Sequence, residues 1–163
     1  MHNVYLLLGS NRGNKNSLLE KAVERLDSIS LKPVISSSLF ESEPWGFNAE
    51  EWFLNMAVLI ETNLSPEELM YQILNIEKEL GRVRGSLKEG YESREIDIDI
   101  LLYDNLVIDS DFLTIPHPRM HLRKFVLEPL MEIASNIEHP VFCKTINELC
   151  KICPDKSIVK KKE

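Results

Sequence analysis

Arg94-Glu95-Ile96-Asp97-Ile98-Asp99-Ile100-Leu101-Leu102 alternates charge with isoleucine before running into leucine. Successive side chains of a β-strand point to opposite faces, so the stretch predicts a strand over residues 96–103. Glu95, Asp97 and Asp99 then share one face and the isoleucines the other. At about 3.3 Å per residue the two aspartates stand roughly 6.6 Å apart along the strand. Carboxylates so placed can flank one hard cation, or share a pair of magnesium ions in phosphoryl transfer. The solvated face of any half-buried strand would show the same alternation. Aspartate is disfavoured in strands, however, and two together ask for a compensation that a metal supplies.

Immediately upstream, residues 81–93 contain glycine and charge without period, which predicts a mobile loop. Arg82, Arg84 and Lys88 lie in it, and Arg94 sits where it rejoins the strand. Guanidinium groups can grip phosphate oxygens bidentately, although cations beside carboxylates can equally form surface ion pairs. Before the loop, Ser65, Pro66 and Glu68 carry the signature of a helix start, and Leu69, Ile73, Ile76 and Leu80 form its apolar stripe. Glu77 flanks that stripe and on pattern alone is a solvated helix glutamate.

Residues 4–8 predict a buried strand closed by a turn at Gly9-Ser10-Asn11. Ser17 and Glu20 have the form of a capping box for a first helix with Leu18, Leu19, Ala22, Val23, Leu26 and Ile29 on its apolar face. Residues 33–41 and 53–62 read as further strands, separated by the aromatic loop Ser42-Glu43-Pro44-Trp45-Gly46-Phe47. The order β-α-β-β-α-β is that of a ferredoxin-like α+β sandwich, with helices over one face of an antiparallel sheet. The proline-bearing last third predicts a C-terminal extension of short helices and loops, ending in a solvated Lys160-Lys161-Lys162.

At 163 residues and 44% apolar, the chain is expected to form a single domain over 1–163, with a core at about 3–135 and the extension at about 136–163. No basic signal-like start and no apolar run of about 20 residues is present, so a soluble cytoplasmic protein is expected; a monomer is expected as well. The net charge of -7 argues against nucleic acid as a partner. Cys143, Cys150 and Cys153 come late and in odd number, pointing to reduced thiols. With His139 they could furnish zinc ligands, or serve as small buried hydrophobes. Gly9-Ser10-Asn11-Arg12-Gly13-Asn14-Lys15 lacks the P-loop spacing.

Two further constellations are of interest. His117 stands between two prolines in Ile115-Pro116-His117-Pro118-Arg119, with Arg123 beyond, where a restricted backbone could present it to a phosphate or simply pack it. Trp45, Trp52, Phe53 and Phe125 could form a slot for a planar heterocycle whose edge Asn55 would read, or could fill the core.

Taken in order, these stretches resemble the hydroxymethyldihydropterin pyrophosphokinase family from Tyr5 to about Ile133. The motifs carrying the resemblance are Leu8-Gly9-Ser10-Asn11, Phe53-Leu54-Asn55, Glu77 with Gly81-Arg82-Val83-Arg84, and the stretch beginning at Arg94. Leu113-Thr114-Ile115-Pro116-His117-Pro118-Arg119-Met120 and Arg123-Lys124-Phe125-Val126-Leu127-Glu128-Pro129-Leu130 complete the set.

The resemblance implies that Asp97 and Asp99 bind two Mg2+ ions bridging ATP and that the pterin stacks between Phe53 and Phe125. Asn55 and the backbone around Ser42, Glu43 and Trp45 would read the pterin edge. Arg82 and Arg94 would act on the polyphosphate, Glu77, Arg84, His117 and Arg123 would help hold ATP, and Ile100 and Thr114 would lie near the adenine. Glu89-Gly90-Tyr91-Glu92-Ser93 departs from the family, where many relatives carry a basic residue, a tryptophan and a glycine. A non-catalytic effector-binding module and a metal-dependent nucleotidyltransferase are the rival readings.

Overall fold

In the computed structural model, which describes residues 1–44, 51–81 and 95–162, strand β1 (His2–Ser10) runs through the middle of a six-stranded sheet. β1 pairs antiparallel with β4 (Phe53–Thr62) on one side and with β5 (Asp97–Tyr103) on the other. Beyond β4 lie β2 (Ile35–Ser36) and β3 (Phe40–Ser42), and β3 is flanked in turn by β8 (Val159–Lys161). Every one of these pairings is antiparallel, and the order is β5-β1-β4-β3-β8 with β2 also against β4. A separate short hairpin joins β6 (Ile108–Asp109) to β7 (Thr114–Ile115).

The period of two sorts the central strands into two cores. Val4, Leu6 and Leu8 of β1 join Leu54, Met56, Val58 and Ile60 of β4 and Ile98 and Ile100 of β5 on one face. Helices α1 (Lys15–Ile29) and α2 (Pro66–Glu79) cover it through Leu19, Ala22, Leu26, Leu69, Ile73 and Ile76. Tyr5, Leu7 and Ala57 face the other way, against Val126, Leu127 and Leu130 of α3 (Lys124–Ala134) and Ile146 and Leu149 of α4 (Ile146–Ile152). The pairing register shifts between Tyr5 and Leu6, so Leu101 and Leu102 both enter this second core while Tyr103 returns to the first. Helices therefore cover both faces of the sheet, whereas the expected sandwich had them on one.

Local signals explain most boundaries. Ser65 and Glu68 form the expected reciprocal capping box of α2, and Gly81 follows the helix with φ 103°, a conformation that suits glycine. The start of α1 corrects the expected box at Ser17 and Glu20: Asn14 caps instead, accepting from Ser17 N at 3.2 Å. β1 continues through Gly9 to Ser10, where a turn was expected. The strand expected over residues 33–41 is divided into β2 and β3. The three-lysine end is exposed, as expected, but it is not irregular, because Lys160 and Lys161 lie in β8. No helix among the described residues is long and apolar enough to cross a membrane.

Between α3 and α4, His139 is 3% exposed and its Nδ1 accepts from Val141 N and Phe142 N at 3.2 and 3.3 Å. That nitrogen is therefore committed to the backbone rather than to a zinc ion. Burial, with nearby His121 adding to it, lowers the His139 pKa to about 4. An unfolded chain protonates this histidine near pH 6.5 while the native one refuses the proton, so its contribution persists above that pH and is lost as pH falls toward 4. The urea midpoint should hold above about pH 7 and fall below about 6.5. His139→Gln should flatten part of that fall, and identical pH profiles would contradict the assignment.

Candidate active site

Cross-strand partners share a face, and the registers place one row of the sheet across three strands. Gly9 is opposite Asn55 on β4 and opposite Asp97 on β5. In the next row Leu7 lies between Ala57 and Asp99. Phe40 continues the first row beyond Asn55, and Ser42 is opposite Phe53. One face at one end of the sheet thus carries an amide, an aromatic ring and two half-buried carboxylates, side by side with the α3 core.

Gly9 is the residue that sequence reading passed over as a turn. A Cβ there would stand 3.1 Å from Asn55 Oδ1 and 4.0 Å from Phe53 Cδ1, so glycine lets the amide lie close over β1. Asn55 is 2% exposed and its Nδ2 donates to Ser42 Oγ at 2.7 Å, which fixes the orientation of its amide. Ser42, also 2% exposed, is held in turn by β3. A strand glycine beside a polar row was the available signal.

Glu77 corrects the pattern-based reading most sharply. It is 1% exposed, and its Oε2 accepts from the backbone N–H of Ile98 at 3.0 Å, between the two aspartates. Helix α2 therefore clamps the strand that presents them, on the face opposite their carboxylates. A second tie comes from β1, where buried Ser10 donates its hydroxyl to the carbonyl of Glu95.

His117 lies on the segment after β7, its N–H bound to Leu101 O at 3.0 Å. Burial lowers its pKa to about 4; Arg123 and Arg119 push the same way and Asp97 pulls against them. The ring is neutral near pH 7. Its Nδ1 accepts from Arg119 N at 3.2 Å, so the proton resides on Nε2, which is a donor. Arg123 precedes α3 and places its guanidinium carbon 5.6 Å from the ring centroid of Phe125. Aspartate, histidine and arginine thus come within electrostatic reach of one another although they are far apart in sequence.

The remaining candidates divide. Thr114 is half-buried in β7, whereas the Ile100 side chain points into the core under α1 and α2 and away from the carboxylate face. The Glu43 carboxylate accepts from Ile158 N at 2.8 Å. Trp52 contributes its carbonyl to Lys15 Nζ at 3.1 Å. Trp45, Arg82, Arg84, Lys88, Tyr91 and Arg94 lie outside the described residues.

Removing the Glu77 carboxylate leaves the Ile98 donor buried without this acceptor. Glu77→Ala should lower the unfolding free energy by about 1–3 kcal/mol, and Glu77→Gln, which keeps an acceptor, by less. Urea denaturation checks the difference; equal losses would argue that the hydrogen bond contributes little.

A family model described as 7,8-dihydro-6-hydroxymethylpterin-pyrophosphokinase (HPPK) matches residues 5–135. A 2-amino-4-hydroxy-6-hydroxymethyldihydropteridine pyrophosphokinase of Aquifex aeolicus is 43% identical over 150 residues, covering 91% of this chain and 90% of that protein. Its namesake in Bacillus subtilis is 42% identical over 140 residues, covering 85% of this chain and 82% of the relative. The one in Haemophilus influenzae is 38% identical and covers 98% of both chains. Among solved structures, an HPPK-DHPS in complex with substrates superposes with a TM-score of 0.74 at 14% identity, over 92% of this chain and 43% of that one. That likeness concerns the fold, and this chain spans less than half of the solved chain's length. The match of the family model over most of the chain, together with relatives aligned nearly end to end, places the chain in the 7,8-dihydro-6-hydroxymethylpterin-pyrophosphokinase family of transferases.

Proposed function

We propose that the chain transfers pyrophosphate from ATP to the hydroxymethyl group of 6-hydroxymethyl-7,8-dihydropterin, releasing AMP, as a step of folate biosynthesis. The observation that carries this reading is the single row Asn55, Gly9 and Asp97, which sets a heterocycle-reading amide next to a cation-binding carboxylate. A flat ring bearing a short alcohol arm would lie with its edge at Asn55 and Ser42 and its faces toward Phe53 and Phe125, directing the arm toward the aspartates.

The donor set suits magnesium, which takes one or two carboxylates and completes its shell with water and substrate phosphates. Asp97 and Asp99 would hold two such ions. Among the described residues no group of three or more acidic, histidine or cysteine side chains gathers as a closed metal cage. When bound, the ions would neutralise charge on the phosphate oxygens. His117 would donate from Nε2 to a phosphate oxygen, and Arg123 would add a fixed positive charge. Glu77 would act through the backbone of β5 as well as toward ATP, and Arg84, Ile100 and Thr114 complete the proposed nucleotide set. Arg82 and Arg94 would reach the polyphosphate from residues 82–94.

In the reaction itself the substrate hydroxyl oxygen attacks the β-phosphorus in line, and the bond from that phosphorus to the oxygen bridging to the α-phosphate breaks. AMP carries away the electron pair, and the hydroxyl proton passes to solvent. The chain's contribution is positioning and electrostatic stabilisation. The sheet order and the all-antiparallel pairing support the ferredoxin-like assignment, with α3, α4 and β8 as additions. We further take residues 1–163 as one cytoplasmic, monomeric domain.

Incubation with ATP, magnesium and the pterin alcohol should yield AMP only when the pterin is present. Free pyrophosphate as product would favour a nucleotidyltransferase, and ADP an ordinary kinase. Asp97→Ala should lower turnover by several powers of ten while the protein stays folded; equal turnover in saturating magnesium would overturn the role given to the carboxylate. Arg94→Ala should reduce kcat far more than ATP affinity, as expected of a contact made mainly in the transition state.

A further inference from the structure

The last residues of the chain connect the two walls of the proposed ring slot. One wall begins at Lys124, the first residue of α3, next to Phe125. No side chain of the preceding residue, Arg123, caps this helix. Asp155 supplies the missing acceptor from more than thirty positions away, its Oδ2 accepting from Lys124 N at 2.9 Å. Its Oδ1 accepts from Ser157 N at 2.8 Å, which turns the chain toward the opposite wall.

That wall is β3, the strand that carries Ser42 and adjoins Asn55 and Phe53. Ile158 donates its N–H to Glu43 Oε1 at 2.8 Å and accepts from Glu43 N at 3.3 Å. Val159, Lys160 and Lys161 then pair with Ser42, Glu41 and Phe40, and Lys162 N donates to Leu39 O at 2.8 Å. A third tie runs across the middle. Lys161 Nζ stands 3.0 Å from Glu132 Oε2 on α3, while Glu132 Oε1 accepts from Ser38 N at 2.6 Å just before β3. None of this segment falls within the residues matched by the family model, which ends at 135.

We infer that residues 155–161 form a positioning strap that sets the spacing between the Phe125 and Ser42 walls, and so determines affinity for the flat heterocycle separately from the nucleotide. This rests on the proposed function for what the slot holds. Asp155 is a positioning residue and touches no substrate. Without it the start of α3 loses its acceptor, and without β8 the strand holding Ser42 becomes an open edge.

Asp155→Ala, Asp155→Asn and a chain ending after Ser157 would be compared with the full chain. In Asp155→Ala the KM for 6-hydroxymethyl-7,8-dihydropterin should rise about fivefold, the effect of one lost cap, with kcat and the KM for ATP within about twofold. Asp155→Asn, which keeps an acceptor oxygen, should recover most of the pterin KM. Amide hydrogen exchange read without any substrate should quicken at residues 40–43 and 124–126 in both Asp155→Ala and the shortened chain. Unchanged exchange and unchanged pterin KM in the variants would overturn the strap, as would KM values for pterin and ATP rising together. Faster exchange in a protein whose full-length form does not turn over the pterin would uphold the strap and overturn the proposed substrate instead.

Discussion

The strand β5 uses its two faces for opposite purposes, and the rest of the site depends on that division. Isoleucines at 98 and 100 anchor it in the core beneath α1 and α2, so the intervening aspartates have no choice but to project from the other side. Burial on one face thereby holds two carboxylates on the other, where their repulsion and desolvation would otherwise disfavour a strand. Glu77 reinforces this from below by accepting the Ile98 N–H, and Ser10 does so from β1 by binding the Glu95 carbonyl. A helix, through its buried acid, and the neighbouring strand β1 converge on a stretch of about five residues.

Gly9 links this stretch to the ring-binding half. Because it lacks a side chain, the amide of Asn55 can lie over β1 in the same row as Asp97, and no loop has to bridge the two halves. Among the described residues, the cations that act on His117 come from a separate part of the chain, the segment following β7 and the start of α3. In a protein of net charge -7, Arg119 and Arg123 concentrate positive charge around a histidine held neutral by burial, which suits the proposed polyphosphate. A neutral imidazole can donate to phosphate without the cost of a further buried charge.

Alternation at residues 95–100 and the long apolar run at 53–62 made β5 and β4 legible from sequence, because a strand with one or two buried faces writes its burial into its own residues. The Ser65 capping box was legible for the same reason: both partners lie within one turn. What sequence concealed was decided between distant segments. Asn14 and Ser17 can each cap a helix, and the chain uses Asn14, whose side chain accepts from Ser17 N. Glu77 occupies a helical position at the rim of the apolar stripe, and only the approach of β5 turns that rim inward. Lys160 and Lys161 keep solvated side chains, and only the edge of β3 shows that their backbone has a ladder to join. Family resemblance supplied candidate roles, while alternation alone indicated that the Ile100 side chain faces away from the aspartates, into the core.

In the proposed chemistry, a pterin alcohol bound at Asn55 would be directed at the middle phosphorus of ATP held at Asp97 and Asp99. Turnover of ATP labelled at its β-phosphorus, in the presence of magnesium and 6-hydroxymethyl-7,8-dihydropterin, tests it most directly. The label should leave on the pterin product while the AMP is unlabelled. Label retained in ADP, or released as free pyrophosphate, would contradict it.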